Sequence, residues 1–422
     1  MGMTITEKIL ARASGRASIK PGDGVEVNVD TVLLGELGSE RLAGLFDDFR
    51  ELGVDRVWDP QKVVIMVEHS TPPSSHKAAA GAKGAREFAR EQGTVWYEIG
   101  RTGIGHQVMV ERGHVKPGDV LVAGDSHTPT YGGLGAFSSS IGALEVNAVL
   151  LLGKTWFEVP SQIKFEITGQ VPPMVVSKDI ILWILGEYGS DVGTDQSVEF
   201  AGSVIDSMSL DGRLALCNMG AEMGAVNAIV APDEKTIQYV KERTDQPFTP
   251  LYSDDDAEYE DVFQVDVTGM EPQVAIPYRP ANAKPVSEVV GTKIDQAFIG
   301  SCCNSRMEDL RMAAQVLRGR RVHPNVRLII NPASQEIYSQ SLDEGLLRVF
   351  LDADSVICAP SCGPCGGLDK GLLAAGEVGI SSANRNFKGR QGDPDSKTYI
   401  SNAATVAASA VAGEIADPRE FA

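Results

Sequence analysis

No Lys/Arg-rich block, no glycine-rich phosphate loop and no long apolar run occur in this 422-residue chain. Each absence excludes something. The formal net charge is −19, from 57 acidic and 38 basic residues, which argues against generic binding to nucleic acid or anionic membranes. Anionic substrates stay open, because a local group of Arg and His can oppose the overall field. Neither a Gly-x-Gly-x-x-Gly after a strand nor a Walker loop is found. No uninterrupted apolar stretch nears the roughly 18 residues of a membrane helix. Met1 to Ala17 has no apolar core of signal-peptide length, so the chain is expected in the cytoplasm. Cysteine is scarce, and five of the six crowd between 302 and 365 beside Gly and Asn, unlike a disulfide framework.

What is there suits a large α/β protein. The length allows two or three domains, and 44 glycines fit tight strand-to-helix turns. Short β-branched runs alternate with helical patterns along the chain, which predicts parallel sheets in layered α/β domains. The expected division is 1–160, 161–278 and 279–422. The Pro-containing tract from Pro272 to Pro285 reads as a linker between the last two. A helix is expected around Ser39–Leu52. Tyr252–Asp261 reads as a solvated acidic loop.

Two of the runs end in chemistry. Lys62–Val67 reads as a buried strand followed by Glu68-His69, and Asp119–Gly124 as a strand followed by Asp125-Ser126-His127-Thr128. Ligands bind at the carboxyl ends of strands in open α/β sheets. A glycine-lined turn, Gly103–Gln107, carries His106. Three of only six histidines thus gather at strand or loop ends in one region, two of them near a carboxylate. That favours acid–base or anion-binding work over structural hydrogen bonding. Asn218 and Glu222, four apart among small residues, can face one cleft, although plain helix packing explains them equally well.

The cysteines form a second group. Cys362 and Cys365 make a C-x-x-C on a Gly/Pro-rich loop, and Cys302 ends the apolar run 296–299. Three thiolates on a four-iron, four-sulfur cluster leave one iron open for Lewis-acid work. Structural zinc, with Cys303 or Cys358 as fourth ligand, and a thioredoxin-like pair are the competing readings of the spacing. Arg385 and Arg390 are candidate carboxylate binders, since a guanidinium meets a carboxylate with two parallel bonds.

In order, Gly-Ser-Cys-Cys-Asn-Ser-Arg (300–306), Ser-Cys-Gly-Pro-Cys-Gly-Gly (361–367) and Ser-Ala-Asn-Arg-Asn-Phe-Lys-Gly-Arg (382–390) resemble the aconitase superfamily. The likeness is strongest to the large subunits of 3-isopropylmalate dehydratase and homoaconitase, and covers the chain from about residue 20 onward. It implies three aconitase-like α/β/α domains around a central cleft. It also implies a hydro-lyase for small 2-hydroxy di- or tricarboxylic acids, with 3-isopropylmalate of leucine biosynthesis foremost and homoaconitase or a 2-methylmalate, 2,3-dimethylmalate or maleate (de)hydratase as alternatives.

By the same resemblance Cys302, Cys362 and Cys365 hold a 4Fe-4S cluster with one iron not ligated by protein. Asp125 with His127, and His106 with Glu222, match catalytic pairs, and His69 matches a further active-site histidine. Ser126, Asn218, Asn384, Arg385 and Arg390 match substrate-side residues. No Gly-Ser-Ser-Arg-Glu-type swivel segment follows Ala422, so a separate small subunit is expected to supply it, and the chain alone to be inactive. Cys303 stands where threonine is usual, Glu68 where aspartate is, and Pro72-Pro73-Ser74-Ser75 also departs from the pattern, leaving the substrate open. An RNA-binding regulator and a zinc scaffold are the remote alternatives.

Overall fold

The computed structural model describes residues 2–36 and 53–421, so the helix expected around Ser39–Leu52 lies outside the described residues. The chain forms two compact units. Met1–Glu68, Pro73–Thr168 and Gly193–Val265 make the first; His69–Pro72, Gly169–Val192 and Asp266–Ala422 make the second.

The first unit is built on a five-stranded sheet. Its spatial order is Val95–Tyr97, Val63–Met66, Thr31–Gly35, Val120–Ala123, Phe137–Ser140, and every neighbouring pair is parallel. Val63–Met66 and Val120–Ala123 are buried throughout, as continuous apolar runs in a covered parallel sheet should be. Counted along the chain the order is 3-2-1-4-5, a doubly wound sheet. Its switch point falls between Thr31–Gly35 and Val120–Ala123. The helix His76–Gln92 returns the chain from one strand to the next. Ser75 caps it by accepting from the Ala78 N–H, and Gly93 ends it at φ 70°. A second sheet in this unit places Asn227–Val230, Ser197–Ala201, Gln162–Thr168 and Asp261–Asp266 side by side.

The second unit holds a seven-stranded sheet in the order Ala283–Pro285, Gln273–Ala275, Lys397–Ile400, Val378–Ser381, Gln296–Ile299, Arg327–Ile330, Val356–Ile357. Its last five strands are parallel. Their chain order is again 3-2-1-4-5, read from the other edge. The switch point here lies between Gln296–Ile299 and Val378–Ser381.

The tract expected as a linker is part of this sheet. Gln273–Ala275 pairs antiparallel with Ala283–Pro285, and Ala275 with Ile400. Buried Val274 and Ala275 supply the apolar contact. The Gln273 N–H donates to Asp179 at 2.8 Å, and Ser401 Oγ donates to the Gln273 carbonyl at 2.6 Å. The prolines that suggested a linker sit in the turn and at the strand end. The strand Gln273–Ala275 also precedes the boundary expected at 278.

Candidate active site

In the first unit Val120–Ala123 ends at the switch point, and Gly124-Asp125-Ser126-His127 turns away from its carboxyl end. The 3-10 turn Thr128–Leu134 follows. Asp125 Oδ1 accepts from the His127 N–H at 2.8 Å and lies 2.8 Å from His106 Nε2. The other nitrogen of His106, Nδ1, is 3.0 Å from the Tyr131 hydroxyl. His127 Nε2 is 3.0 Å from Glu222 Oε1, while its Nδ1 stands 3.8 Å from Asp125 Oδ1. The result is a chain of polar groups: Tyr131, His106, Asp125, His127, Glu222. Side chains of His106, His127 and Glu222 are 4–6% exposed, against 33% for Asp125. Asp125 is the member that solvent reaches.

Asp125 and His127, a pair by the resemblance, are in contact through the His127 N–H and Nδ1, and the shortest side-chain contacts join His106 to Asp125 and His127 to Glu222. His106 is not on a turn but is the second residue of the helix Gly105–Glu111. Strand-end geometry then aims its Nε2 at Asp125. A neutral imidazole has one donor and one acceptor nitrogen. With the carboxylate accepting from Nε2–H, the Tyr131 hydroxyl donates to Nδ1, which fixes the tautomer.

Neighbours hold these groups in place. Buried Glu68 accepts from the Gly105 N–H at 2.6 Å, and its own N–H donates to Glu36 at 3.0 Å. A Cβ on Gly105 would stand 2.8 Å from Glu68 Oε2 and 2.9 Å from Leu33 Cδ2, so a larger residue beside His106 would require those side chains to shift. Asn218, the last residue of the helix Leu210–Asn218, donates to Thr130 Oγ1 at 2.8 Å, and that hydroxyl donates to the His127 carbonyl at 2.6 Å. Asn218 thus braces the His127 turn, and Glu222 in the adjoining 3-10 turn Met219–Met223 meets the ring. Both converge on His127. Ser126 is half-buried on the same turn.

His69 falls in the second unit. It is half-buried, and the next residue, Ser70, donates to Asp369 at 3.2 Å.

In the second unit the cysteine loops leave the carboxyl ends of the parallel strands. Gln296–Ile299 leads to Cys302, Val356–Ile357 to Cys362 and Cys365, and Val378–Ser381 to Asn384 and Arg385. Ser301 sits at φ 82°, unusual for a residue with a side chain. That conformation places its hydroxyl 3.5 Å from Cys365 Sγ and 3.8 Å from Cys302 Sγ. It also donates to Asn384 Oδ1, which is 3.7 Å from Cys302 Sγ and 3.9 Å from Cys365 Sγ. Two loops distant in sequence thereby bring their sulfurs around one serine and one asparagine. Cys362 opens the 3-10 turn Gly363–Gly366 that carries Cys365. Gly363 takes φ 59° there, and a Cβ on it would meet Asn331 Nδ2 at 2.7 Å.

All six cysteines are free thiols. Burial pushes the thiols of Cys303 and Cys358 up from their ordinary range. Cys303 is fully buried, 3.5 Å from the Lys178 ammonium. Among the described residues no three His, Cys, Asp or Glu side chains are gathered tightly enough to hold a single metal ion. An iron–sulfur cube is larger than one ion, so its thiolates need not touch, and a donor set of cysteines alone suits it. Arg390 Nε is buried with no hydrogen-bond partner among the described residues. Arg385 stands over the Phe387 ring at 5.9 Å. The residues present fit such a cluster.

Sequence reasoning missed Tyr131, Ser301 and Lys178. Tyr131 and Ser301 sit beside motifs but carry no spacing signal, and Lys178 lies 124 residues before Cys302. No helix among the described residues is long and apolar enough to cross a membrane.

A sequence profile of the aconitase family (aconitate hydratase) matches residues 45–293 and 288–413. The chain is similar to the 3-isopropylmalate dehydratase large subunit 1 of Methanopyrus kandleri, 48% identical over 425 residues and covering 100% of both chains. It is 46% identical over 421 residues to the probable methanogen homoaconitase large subunit of Methanothermobacter thermautotrophicus, covering 100% of this chain and 98% of that one. Among solved structures, aconitase X of Thermococcus kodakaraensis in its holo-form aligns over 86% of this chain and 84% of that one, at 13% identity and a TM-score of 0.47.

Proposed function

The chain belongs to the aconitase family, and on that premise we propose that it dehydrates and rehydrates a small hydroxy acid with two or three carboxylates, 3-isopropylmalate foremost. Two difficulties define the reaction. Hydroxide leaves poorly, and the proton removed beside a carboxylate is barely acidic. Cys302, Cys362 and Cys365 would hold a 4Fe-4S cluster, which supplies a Lewis acid for the departing hydroxyl when bound.

The chain's own side chains supply the rest. His106 and His127 carry protons for the leaving oxygen. Each is matched to a carboxylate, Asp125 or Glu222, that orients its ring. Asp125, the middle and most exposed member of the series, meets the substrate. His69 is a further proton carrier. Arg385 and Arg390 bind carboxylates, and they stabilise the charge that develops when the carbon-bound proton departs. Ser126, Asn218 and Asn384 hold polar groups in register. The observation that carries the reading is the unbroken hydrogen-bonded series from Tyr131 to Glu222, in a chain that also clusters Cys302 and Cys365 around Ser301.

The relatives described above are large subunits by name, and this chain is proposed to work with a second, smaller chain carrying the swivel segment. The six free thiols suit a reducing compartment, so we place it in the cytoplasm. Homoaconitase is the second reading, supported by the relative at 46% identity; two percentage points do not separate the substrates. The test is turnover of a panel of malate and citrate homologues by anaerobically reconstituted protein, with and without a cognate small subunit. Turnover of 3-isopropylmalate by the pair is expected. Full activity of the single chain would overturn the requirement for a partner, and inertness of the pair toward every panel member would overturn the reaction.

A further inference from the structure

Lys178 is among the most deeply buried charged residues of the chain, with 0% of its surface exposed. It is the second residue of the helix Ser177–Tyr188 in the second unit. A buried ammonium demands acceptors for its three N–H groups. It finds them on the two loops that present the cysteine site. Nζ is 2.8 Å from the Ala383 carbonyl, 3.4 Å from the Ser382 carbonyl and 3.5 Å from Cys303 Sγ.

Its place is rigid. The adjacent Asp179 carboxylate accepts from the Val176 and Gln273 N–H groups and from Asn402 Nδ2, each at 2.8 Å. That locks the helix start to the strand Gln273–Ala275 and to the cap of the helix Ala403–Ala412. The loop it grips is tied to the cysteine turn from the other side. Ser382 Oγ accepts from the Gly300 N–H at 2.9 Å and lies 3.0 Å from the Asn304 carbonyl. Asn384, one residue past Ala383, is the group whose Oδ1 stands beside Cys302 and Cys365.

We propose that Lys178 is a positioning residue for the three-cysteine site: its buried ammonium fixes the Ser382–Asn384 loop against the Cys302 turn and lies beside Cys303, the neighbour of Cys302. This rests on the cluster-binding reading given above. A fixed cation next to thiolate-bound iron favours the more reduced, more negative state. Net charge near a cluster is among the factors that set its potential. Outer residues of this kind hold metals with their ligands, and their loss commonly weakens metal retention by about 10–100-fold.

The experiment compares wild type with Lys178→Gln, Lys178→Met and Lys178→Arg after anaerobic reconstitution with iron and sulfide. It reads iron and sulfide per chain, the rate of iron loss in air and the midpoint potential by EPR titration. Wild type serves as the control for the parent reading: a wild type that takes up no iron and sulfide defeats both readings, whereas a wild type that binds the cluster while the variants behave like it defeats this one alone. Loss of iron about tenfold faster in Lys178→Gln and Lys178→Met is expected, with a potential shifted to more negative values. Lys178→Arg keeps the charge and is expected to retain the potential more nearly. Wild-type iron retention and potential in the folded Gln or Met variant would overturn the proposal. So would failure of all three variants to fold, which would assign Lys178 to the core alone.

Discussion

His127 Nε2 lies 3.0 Å from Glu222 Oε1, although 95 positions separate the two residues in the chain. His127 and Asp125, two residues apart, serve different partners. Asp125 takes His106, and His127 takes Glu222. Each imidazole is therefore matched to its own carboxylate, and the His127 N–H joins the two pairs by donating to Asp125.

Removal of the Tyr131 hydroxyl leaves His106 Nδ1 without its donor and frees the ring to change tautomer. Tyr131→Phe is expected to lower kcat about tenfold, the equivalent of one neutral hydrogen bond. KM and Tm should change little, since the aromatic ring stays. Steady-state kinetics of the complex check this; an unchanged kcat would remove Tyr131 from the series.

Gly105→Ala places a methyl group 2.8 Å from Glu68 Oε2 and 2.9 Å from Leu33. One of them must move, and His106 is the next residue. The expected cost is about 1–3 kcal/mol in stability, as for other overpacked sites. Activity should fall further than stability alone explains. Denaturant unfolding beside kinetics separates the two effects.

Cys302→Ser, Cys362→Ser and Cys365→Ser are each expected to abolish stable iron and sulfide binding. Cys303→Ala and Cys358→Ala should retain it, because neither thiol is required as a ligand. Metal analysis of the five variants decides. Loss of iron in Cys303→Ala would make that buried thiol a ligand instead of a neighbour.

His114 in the first unit bonds to the Tyr97 hydroxyl at 2.7 Å. Burial holds its imidazole well below the ordinary 6.5, at about 4, with Lys116 and Arg112 adding to the effect. The unfolded chain therefore binds the proton more readily. The contribution of His114 to stability is complete above about pH 6.5 and fades as pH falls through 4. Wild type should lose at most about 3 kcal/mol relative to His114→Gln across that window. Urea unfolding of both proteins at pH 7, 5.5 and 4 measures it; a constant difference would show that His114 is not held neutral.

The elements were legible where periodicity and caps agree. The helix His76–Gln92 matches its sequence pattern at both ends, because Ser75 and Gly93 mark them. Gln273–Ala275 was misread, since three residues between prolines carry too little pattern to reveal a strand. Its partners, Asp179 and Ser401, are remote in the sequence. Asp125, His127 and His106 stand out in the sequence by scarcity and by strand or loop ends and Glu222 by its spacing from Asn218, while the distances between them come only from the fold.

Local order along the chain thus settled the residue types: carboxylates and histidines after apolar runs, and cysteines on glycine-rich loops. Short-range signals suffice for that, because a strand end and its loop are contiguous. Which histidine meets which carboxylate, and why a lysine at 178 grips a loop at 383, only the fold decided. Within each unit a sheet with the strand order 3-2-1-4-5 carries loops distant in sequence to its own carboxyl edge, and hydrogen-bond geometry there has no counterpart in linear spacing.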